Sequence, residues 1–491
     1  LEWDFLFKKF KMQFFKKIKQ HIHYRSIIFW IIMFGLLRLY GIAEPPLETA
    51  HNWRQTNVAM VARNFLEVDN NIFFPRIDIA GEKSGITGME FPLFNYLIYL
   101  LSLVFGYQHW WGRLINLLVT STGVFYFYKI VRDYFSPRVA FNAAFILLVS
   151  LWFAYARKVM PDTFSMSLVM IGSWYGLKYL EQARGFKNLL LYAILMLAGI
   201  LSKLPSGYVL VIFAPLLFCR DIAVRRKIIF VSLSAMLVFL TALYYFGWTP
   251  YLVERYGFWY YYMGKPFGQG AREIWENLPQ TLARFYETAL HYIGFAFFVA
   301  GIAIAVLRSN KRLLVVLVLT FVAFAVFIIR AGFAFPHHSY YIVPFVPVMA
   351  LVAGYGVSII NNRKWMAIAL ALIAIEGILN QQHDFRIGKK EAALLHLEAK
   401  LDSISQRGDL IVINSGIQPT PMYFAHRRGW LTDNQNLMQP SFIDSLQQLG
   451  LQYIVVIRHT FGTDVELDYP LAFQDDDFRI YQPGTKVINN K

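Results

Sequence analysis

The chain has 491 residues, of which 57% are hydrophobic, 17% aromatic and only 16% charged; soluble domains carry about 25% charged residues. This excludes an ordinary soluble enzyme, a disordered chain and a coiled coil, and indicates a polytopic helical membrane protein. The net charge of +16 fits the Lys and Arg excess of cytoplasmic loops rather than nucleic-acid binding, and the single cysteine, Cys219, admits no intramolecular disulfide.

In chain order, residues 1–25 interleave Lys8, Lys9, Lys11, Lys16, Lys17, Lys19 and Arg25 with Phe5, Phe7, Phe10, Phe14 and Phe15. They read as an amphipathic helix on the cytoplasmic leaflet. The apolar run 26–43 follows, read as an uncleaved span rather than a signal peptide because many more spans come after it. Further apolar runs lie at about 111–131, 139–156, 164–180, 188–202, 207–219, 228–247, 289–307, 313–330, 340–360 and 365–380. Arg132 and Arg138, then Arg220 with Arg225, Arg226 and Lys227, then Arg308 with Lys311 and Arg312, and finally Arg363 with Lys364 punctuate them. Placing these four basic loops in the cytoplasm fixes the topology. The run 92–107 is short for a span of ~20 residues and reads as a juxtamembrane helix on the outer face. About eleven spans result, with the N-terminus inside and the C-terminus outside.

The transmembrane domain is thus expected over 26–382, with outer segments at 44–91 and about 248–288. Within the first, 57–67 carries a helical stripe of Val58, Val61, Ala62 and Phe65. From about 383 to 491 the composition turns soluble. A helix is expected over 390–406, and strands over 409–414, 452–458 and 478–482, giving a small α/β domain. No Asn-x-Ser/Thr sequon occurs, which leans toward a bacterial source; in such a source the expected location is the inner membrane.

Ionisable groups at membrane depth are costly and mark function. They gather at four places on the outer side: His51, Arg54, Asp78 and Glu90 in the first loop; Arg157 to Asp162; Lys203 at a span junction; and His337, His338 and Tyr340 near Arg330. Each has a plainer reading as a solvated loop charge, an interface anchor or a snorkelling cation. Adjacent histidines do not share a helix face, so no metal site is assigned. Carboxylates and cations beside an apolar bundle suit a lipid-linked phosphate: cations stabilise a phosphate leaving group, and a carboxylate acts as general base on an acceptor hydroxyl.

At these residues the sequence resembles the GT-C membrane glycosyltransferases, in particular the lipid A aminoarabinose transferases and protein O-mannosyltransferases. The matching elements are Val61-Ala62-Arg63-Asn64, Glu90-Phe91-Pro92-Leu93, Arg157 through Asp162, Lys203 with Gly207, and Tyr340-Tyr341-Ile342-Val343-Pro344. The family's acidic pair in the first loop would fall near Arg54-Gln55, where this chain has no carboxylate. The resemblance implies inverting transfer from a polyprenyl-phosphate-linked sugar to a lipid, glycan or cell-envelope acceptor. Glu90 and Asp162 rank first for the missing base, then His51, with Asp78 a further candidate. Arg54, Arg157, Lys203, His337, His338 and Tyr340 would hold the donor phosphate. The 248–288 loop would close over the donor, and the C-terminal domain has acceptor selection and a purely structural role equally open. No cofactor is assigned, and a divalent metal stays open. Expected partners are the donor, the acceptor and membrane lipids, without nucleic acid. A flippase for a lipid-linked sugar and a non-catalytic scaffold of the same fold are the alternatives; no repeated halves of the transporter kind are visible.

Overall fold

The computed structural model describes residues 25–48, 50–181, 185–258 and 264–484. All but Arg25 of the expected amphipathic segment 1–25 lies outside the described residues, as do 259–263 of the expected closing loop.

Each of the eleven apolar runs folds as a helix: α1 (Ile27–Leu37), α4 (Trp111–Tyr134), α5 (Pro137–Val149), α6 (Pro161–Glu181), α7 (Phe186–Ser202), α8 (Leu204–Leu217), α9 (Val224–Leu243), α10 (His291–Leu307), α11 (Lys311–Ala331), α12 (Val346–Ser358) and α13 (Arg363–Gln381). The first long loop supplies α2 (Asn52–Glu67) and α3 (Leu93–Phe105). Among the described residues, five helices are long and apolar enough to cross a membrane, or six if a pair bent by 98° at 289–291 is one span. The rest are short, as α1, α5, α7 and α8 are, or carry polar groups, as α6 does with Asp162, Thr163, Ser165, Ser167 and Ser173. Helix α6 is buried by its neighbours along nearly its whole length, so its hydroxyls answer to protein rather than lipid.

Small residues bring these helices together. A Cβ on Gly199 of α7 would lie 2.7 Å from Val169 and 3.0 Å from the Ser165 carbonyl of α6. At that crossing the Ser165 hydroxyl donates to the Gly199 carbonyl at 2.7 Å.

The first long loop is clamped to the bundle by charge. Buried Arg113 of α4 donates to the carbonyls of Gly41, Ile42 and Glu44 and pairs with Glu48 at 2.6 Å. Helix α2 begins at Asn52, five residues before its hydrophobic stripe indicated. His51 ends the preceding turn at φ 61° without a side-chain cap, so the usual Ser, Thr, Asp or Asn start signal is missing from the sequence. Helix α3 is a short apolar helix within the run 92–107, tied to α2 by the Asn95 amide donating to the Val58 carbonyl at 2.9 Å.

Beyond α13 lies a five-stranded sheet in the order β2-β1-β3-β5-β4, made of β1 (Leu410–Ile413), β2 (Arg428–Leu431), β3 (Leu451–Ile457), β4 (Leu471–Gln474) and β5 (Phe478–Tyr481). β1 is parallel to β2 and β3, and β5 antiparallel to β3 and β4. β1, β3 and β5 are the three expected strands; β2 and β4 are additional. The expected helix over 390–406 is shorter, a 3-10 turn Glu391–His396 followed by Leu397–Asp402. After β1 the helix α14 (Thr420–Ala425) sits on α2, with Thr420 bonded to Asn52 and Thr56 at 3.2 Å.

Candidate active site beneath the C-terminal domain

Three chain junctions converge beside the first turns of α2. Arg54 enters there, and one to two turns on, Asn57, Val58 and Val61 continue the same face, as 3.6-residue periodicity requires; all four line one cavity of about 710 Å³. Glu90 arrives at the end of the loop before α3. It is set beside α7 by the Phe91 amide, which donates to the Leu201 carbonyl at 3.1 Å. Lys203 follows directly, where α7 ends in extended backbone before Pro205. Asp162 occupies the first turn of α6, where the helix dipole favours a negative charge. The 155–160 turn before it is pinned by the Asn116 amide, which donates to the carbonyls of Tyr155 and Lys158.

The charges form one chain. Arg54 donates to the Glu90 carboxylate, Lys203 donates to the same oxygen at 2.8 Å, and the Lys203 ammonium lies 3.6 Å from Asp162. Burial raises the Glu90 pKa, but Arg54 and Lys203 outweigh it and hold the carboxyl at about 2. Burial likewise opposes the charge on Arg54, and Glu90 overrides it, so the guanidinium is held above its ordinary value. Asp162 keeps one buried carboxylate oxygen without a hydrogen-bond partner. The ring of Tyr340 lies 5.6 Å from the Lys203 ammonium, stacked on His338. His51 bonds Ser339 at 2.9 Å, and Ser339 bonds Tyr155 at 2.6 Å. Burial first, then Lys158 and His338, push His51 down to about 3; burial, His337 and Arg54 bring His338 to about 4. Both imidazoles are therefore neutral near pH 7. Below this polar rim the cavity wall is apolar, with Tyr208, Ala323, Val326 and Phe327 on α8 and α11.

Of the expected residues, Arg54, Glu90, Lys203, His338 and Tyr340 line the cavity, and Asp162 touches it through Lys203. His51 is in the adjoining layer, packed on Tyr340. Three lie elsewhere. Asp78 accepts from Arg63 at 3.1 Å and Asn64 at 2.7 Å beneath the C-terminal domain. Arg157 donates to the Gly41 carbonyl at 2.8 Å and stacks on Phe385. His337 bonds the Phe333 carbonyl on the exposed side of its turn. Trp53, Asn57, Ile417 and Gln418 also line the cavity and were not singled out beforehand, and Tyr341 of the late turn lies on it beside Tyr340. Helical spacing from Arg54 would have found Asn57; Ile417 and Gln418 come from the loop after β1, which no local pattern joins to α2. Among the described residues no group of three or more His, Cys, Asp or Glu side chains could hold a metal ion. Lys203 itself stands between Glu90 and Asp162, where a bridging cation would sit.

A helical bundle with a loop-borne ionic cavity and a small mixed sheet beyond it is the architecture with which the comparisons agree. Residues 90–245 match the family described as dolichyl-phosphate-mannose-protein mannosyltransferase. The fold is that of ArnT from Cupriavidus metallidurans bound to undecaprenyl phosphate, with a TM-score of 0.59 at 12% identity over 92% of this chain and 97% of that one. It is also similar to the Archaeoglobus fulgidus oligosaccharyltransferase in its apo form, with a TM-score of 0.57 at 13% identity over 87% of this chain and 69% of that one. The archaeal oligosaccharyltransferase AglB from Archaeoglobus fulgidus, in complex with an inhibitory peptide and a dolichol-phosphate, aligns at a TM-score of 0.55 and 14% identity over 87% of this chain and 69% of that one. No curated protein matches the sequence. The resemblance to GT-C glycosyltransferases is thereby shown, and the chain is a multi-pass membrane protein.

Proposed function

We propose that the chain transfers a sugar from a polyprenyl-phosphate-linked donor to a lipid, glycan or cell-envelope acceptor. The observation that carries this reading is the convergence of Arg54 and Lys203 on one carboxylate at the mouth of an apolar-walled cavity. Two buried cations beside an open volume suit a phosphate head, and the wall of Tyr208, Val326 and Phe327 suits the first isoprenyl units of its tail. Solved relatives hold undecaprenyl phosphate and a dolichol-phosphate, which supports the same ligand class here. The eleven helical runs support eleven spans, with the basic loops cytoplasmic and the site on the opposite, periplasmic side of a bacterial inner membrane.

In this mechanism the acceptor oxygen attacks the anomeric carbon as the bond from that carbon to the phosphate oxygen breaks. Arg54 and Lys203 take up the charge that develops on the departing phosphate. As they engage the phosphate, their hold on Glu90 relaxes and its carboxylate regains the basicity needed to accept the acceptor proton. Asp162 positions Lys203. Ile417, which is 88% exposed, and Gln418 stand at the cavity mouth and face the acceptor. This loop leaves the carboxyl end of β1, the usual ligand-facing edge of a parallel sheet.

The test is release of polyprenyl phosphate by purified protein given polyprenyl-phosphate sugar and an envelope-lipid acceptor. Turnover is expected to fall by about 10²–10⁴ in Glu90→Gln. Unchanged turnover in this variant would reject the assignment of the base. Movement of intact lipid-linked sugar across the bilayer, without release, would establish a flippase instead.

A further inference from the structure

A second cavity, of about 450 Å³, lies between α4, α6, α8, α11 and α12. Its wall is apolar, with Phe127, Val131, Met166, Met170, Val209 and Leu351. Its mouth is at the end of the bundle away from Glu90, where Tyr134 and Phe135 end α4 and Lys311 and Arg312 begin α11. Both cations are exposed. Arg312 donates to the Tyr134 carbonyl across the mouth. Exposed Arg308 and Arg220 flank it in sequence, and Lys227 bonds the Cys219 carbonyl on its rim at 2.6 Å. Of the nearby carboxylates, Asp133 pairs with Arg132 and Lys178, and Glu181 with Lys178; Asp221, beside Arg220, is exposed, which leaves the cations around the mouth in excess.

We propose that this cavity holds an acyl chain of an anionic phospholipid from the leaflet facing the basic loops, with the headgroup phosphate on Lys311 and Arg312. An apolar slot between helices with cations at its interfacial mouth has the chemistry of an anionic-lipid site. A polyprenyl tail whose phosphate sits at Arg54 and Lys203 brings no charge to this end of the bundle, so the cations favour a lipid headed at their own leaflet. Tyr208 lines this cavity and the one containing Glu90, so the lipid packs against a wall that both ligands share. The assignment does not depend on glycosyl transfer.

The experiment reconstitutes the full chain in phosphatidylcholine bilayers doped with phosphatidylglycerol or phosphatidylcholine carrying a photoreactive diazirine at the acyl end, and maps the crosslinks by mass spectrometry. The phosphatidylglycerol probe is expected to label the 166–177 and 348–351 walls more strongly than the phosphatidylcholine probe, by up to about 30-fold for two cations. In Lys311→Glu/Arg312→Glu that preference is expected to vanish, and Met170→Trp, which fills the slot, to lower labelling by both probes. Equal labelling by both probes in the unmodified chain would overturn the proposal, as would phosphatidylglycerol labelling that survives the double charge reversal. Displacement of the probe by added polyprenyl phosphate would assign the slot to the donor tail and overturn it too. The charge reversal lies at exposed positions, so the test stands even where Met170→Trp fails to fold.

Discussion

Helix α2 carries two buried ion pairs with opposite fates. Arg54 meets Glu90 and Lys203 on a face that opens into the 710 Å³ cavity. Arg63 donates to Asp78 and to the Tyr423 carbonyl, and Asn64 donates to the same Asp78, on a face sealed by the C-terminal domain. The sealed set is saturated: Asp78 accepts from two side chains, and the Arg63 guanidinium also lies 4.6 Å from the Tyr423 ring. The open set has cations on a volume that an anion can enter, and Asp162 beside it with one oxygen unpartnered. Burial and ionic pairing alone therefore do not mark a site; an accessible volume beside the pair does.

The two clusters should break differently. The largest effect is expected in the open one: Lys203→Ala lowers turnover per folded molecule by about 10²–10³, with a smaller melting shift than Arg63→Ala because Arg54 still pairs with Glu90. Arg63→Ala should do the reverse. Removing one partner of a buried pair costs about 3–5 kcal/mol, so thermal unfolding shifts strongly downward while turnover per folded molecule changes little. A smaller effect is expected at the cavity mouth, where Ile417→Asp raises the acceptor KM by about 3–10-fold and leaves polyprenyl-phosphate binding as it was. An equal loss of donor binding in that variant would remove the loop after β1 from the acceptor side.

A further contrast is in the acid response. His51 is held at about 3 against an ordinary 6.5, so below 6.5 the unfolded chain binds a proton that the folded chain refuses. The stability this contributes is full above 6.5 and is lost as the pH falls toward about 3. Glu90, lowered from 4.5 to about 2, contributes stability that is present above 4.5 and lost as the pH falls through about 2. The melting temperature between pH 6.5 and 4.5 is therefore expected to fall less steeply in His51→Gln than in the unmodified chain. An identical slope would show that His51 is not the group responsible.

The apolar runs read from the sequence all became helices, because in an apolar run the helix is the conformation that satisfies the backbone within the segment itself. Glu90 was legible as an ionisable group of the first outer loop, and Lys203 and Asp162 as ionisable groups at span junctions. Asp78 was not separable from them by composition. Helical geometry could have done it: Arg54 and Arg63 are nine residues apart, which at roughly 100° per residue places them on opposite faces of one helix. Arg54 itself was read as a loop residue because α2 starts without a cap. The missed strands β2 and β4 are four residues each, and β4 is largely exposed, so neither carries a buried alternation. Contact between the 417–418 loop and the cavity is a long-range fact, set by Thr420 docking on Asn52 and Thr56.

The most direct measurement is the affinity of polyprenyl phosphate for the reconstituted protein, followed by ³¹P NMR, in Arg54→Ala/Lys203→Ala beside Asp78→Asn. The account predicts that the double variant loses the bound phosphate signal while Asp78→Asn retains the affinity of the unmodified chain. Retained binding in the double variant, or loss confined to Asp78→Asn, would contradict it.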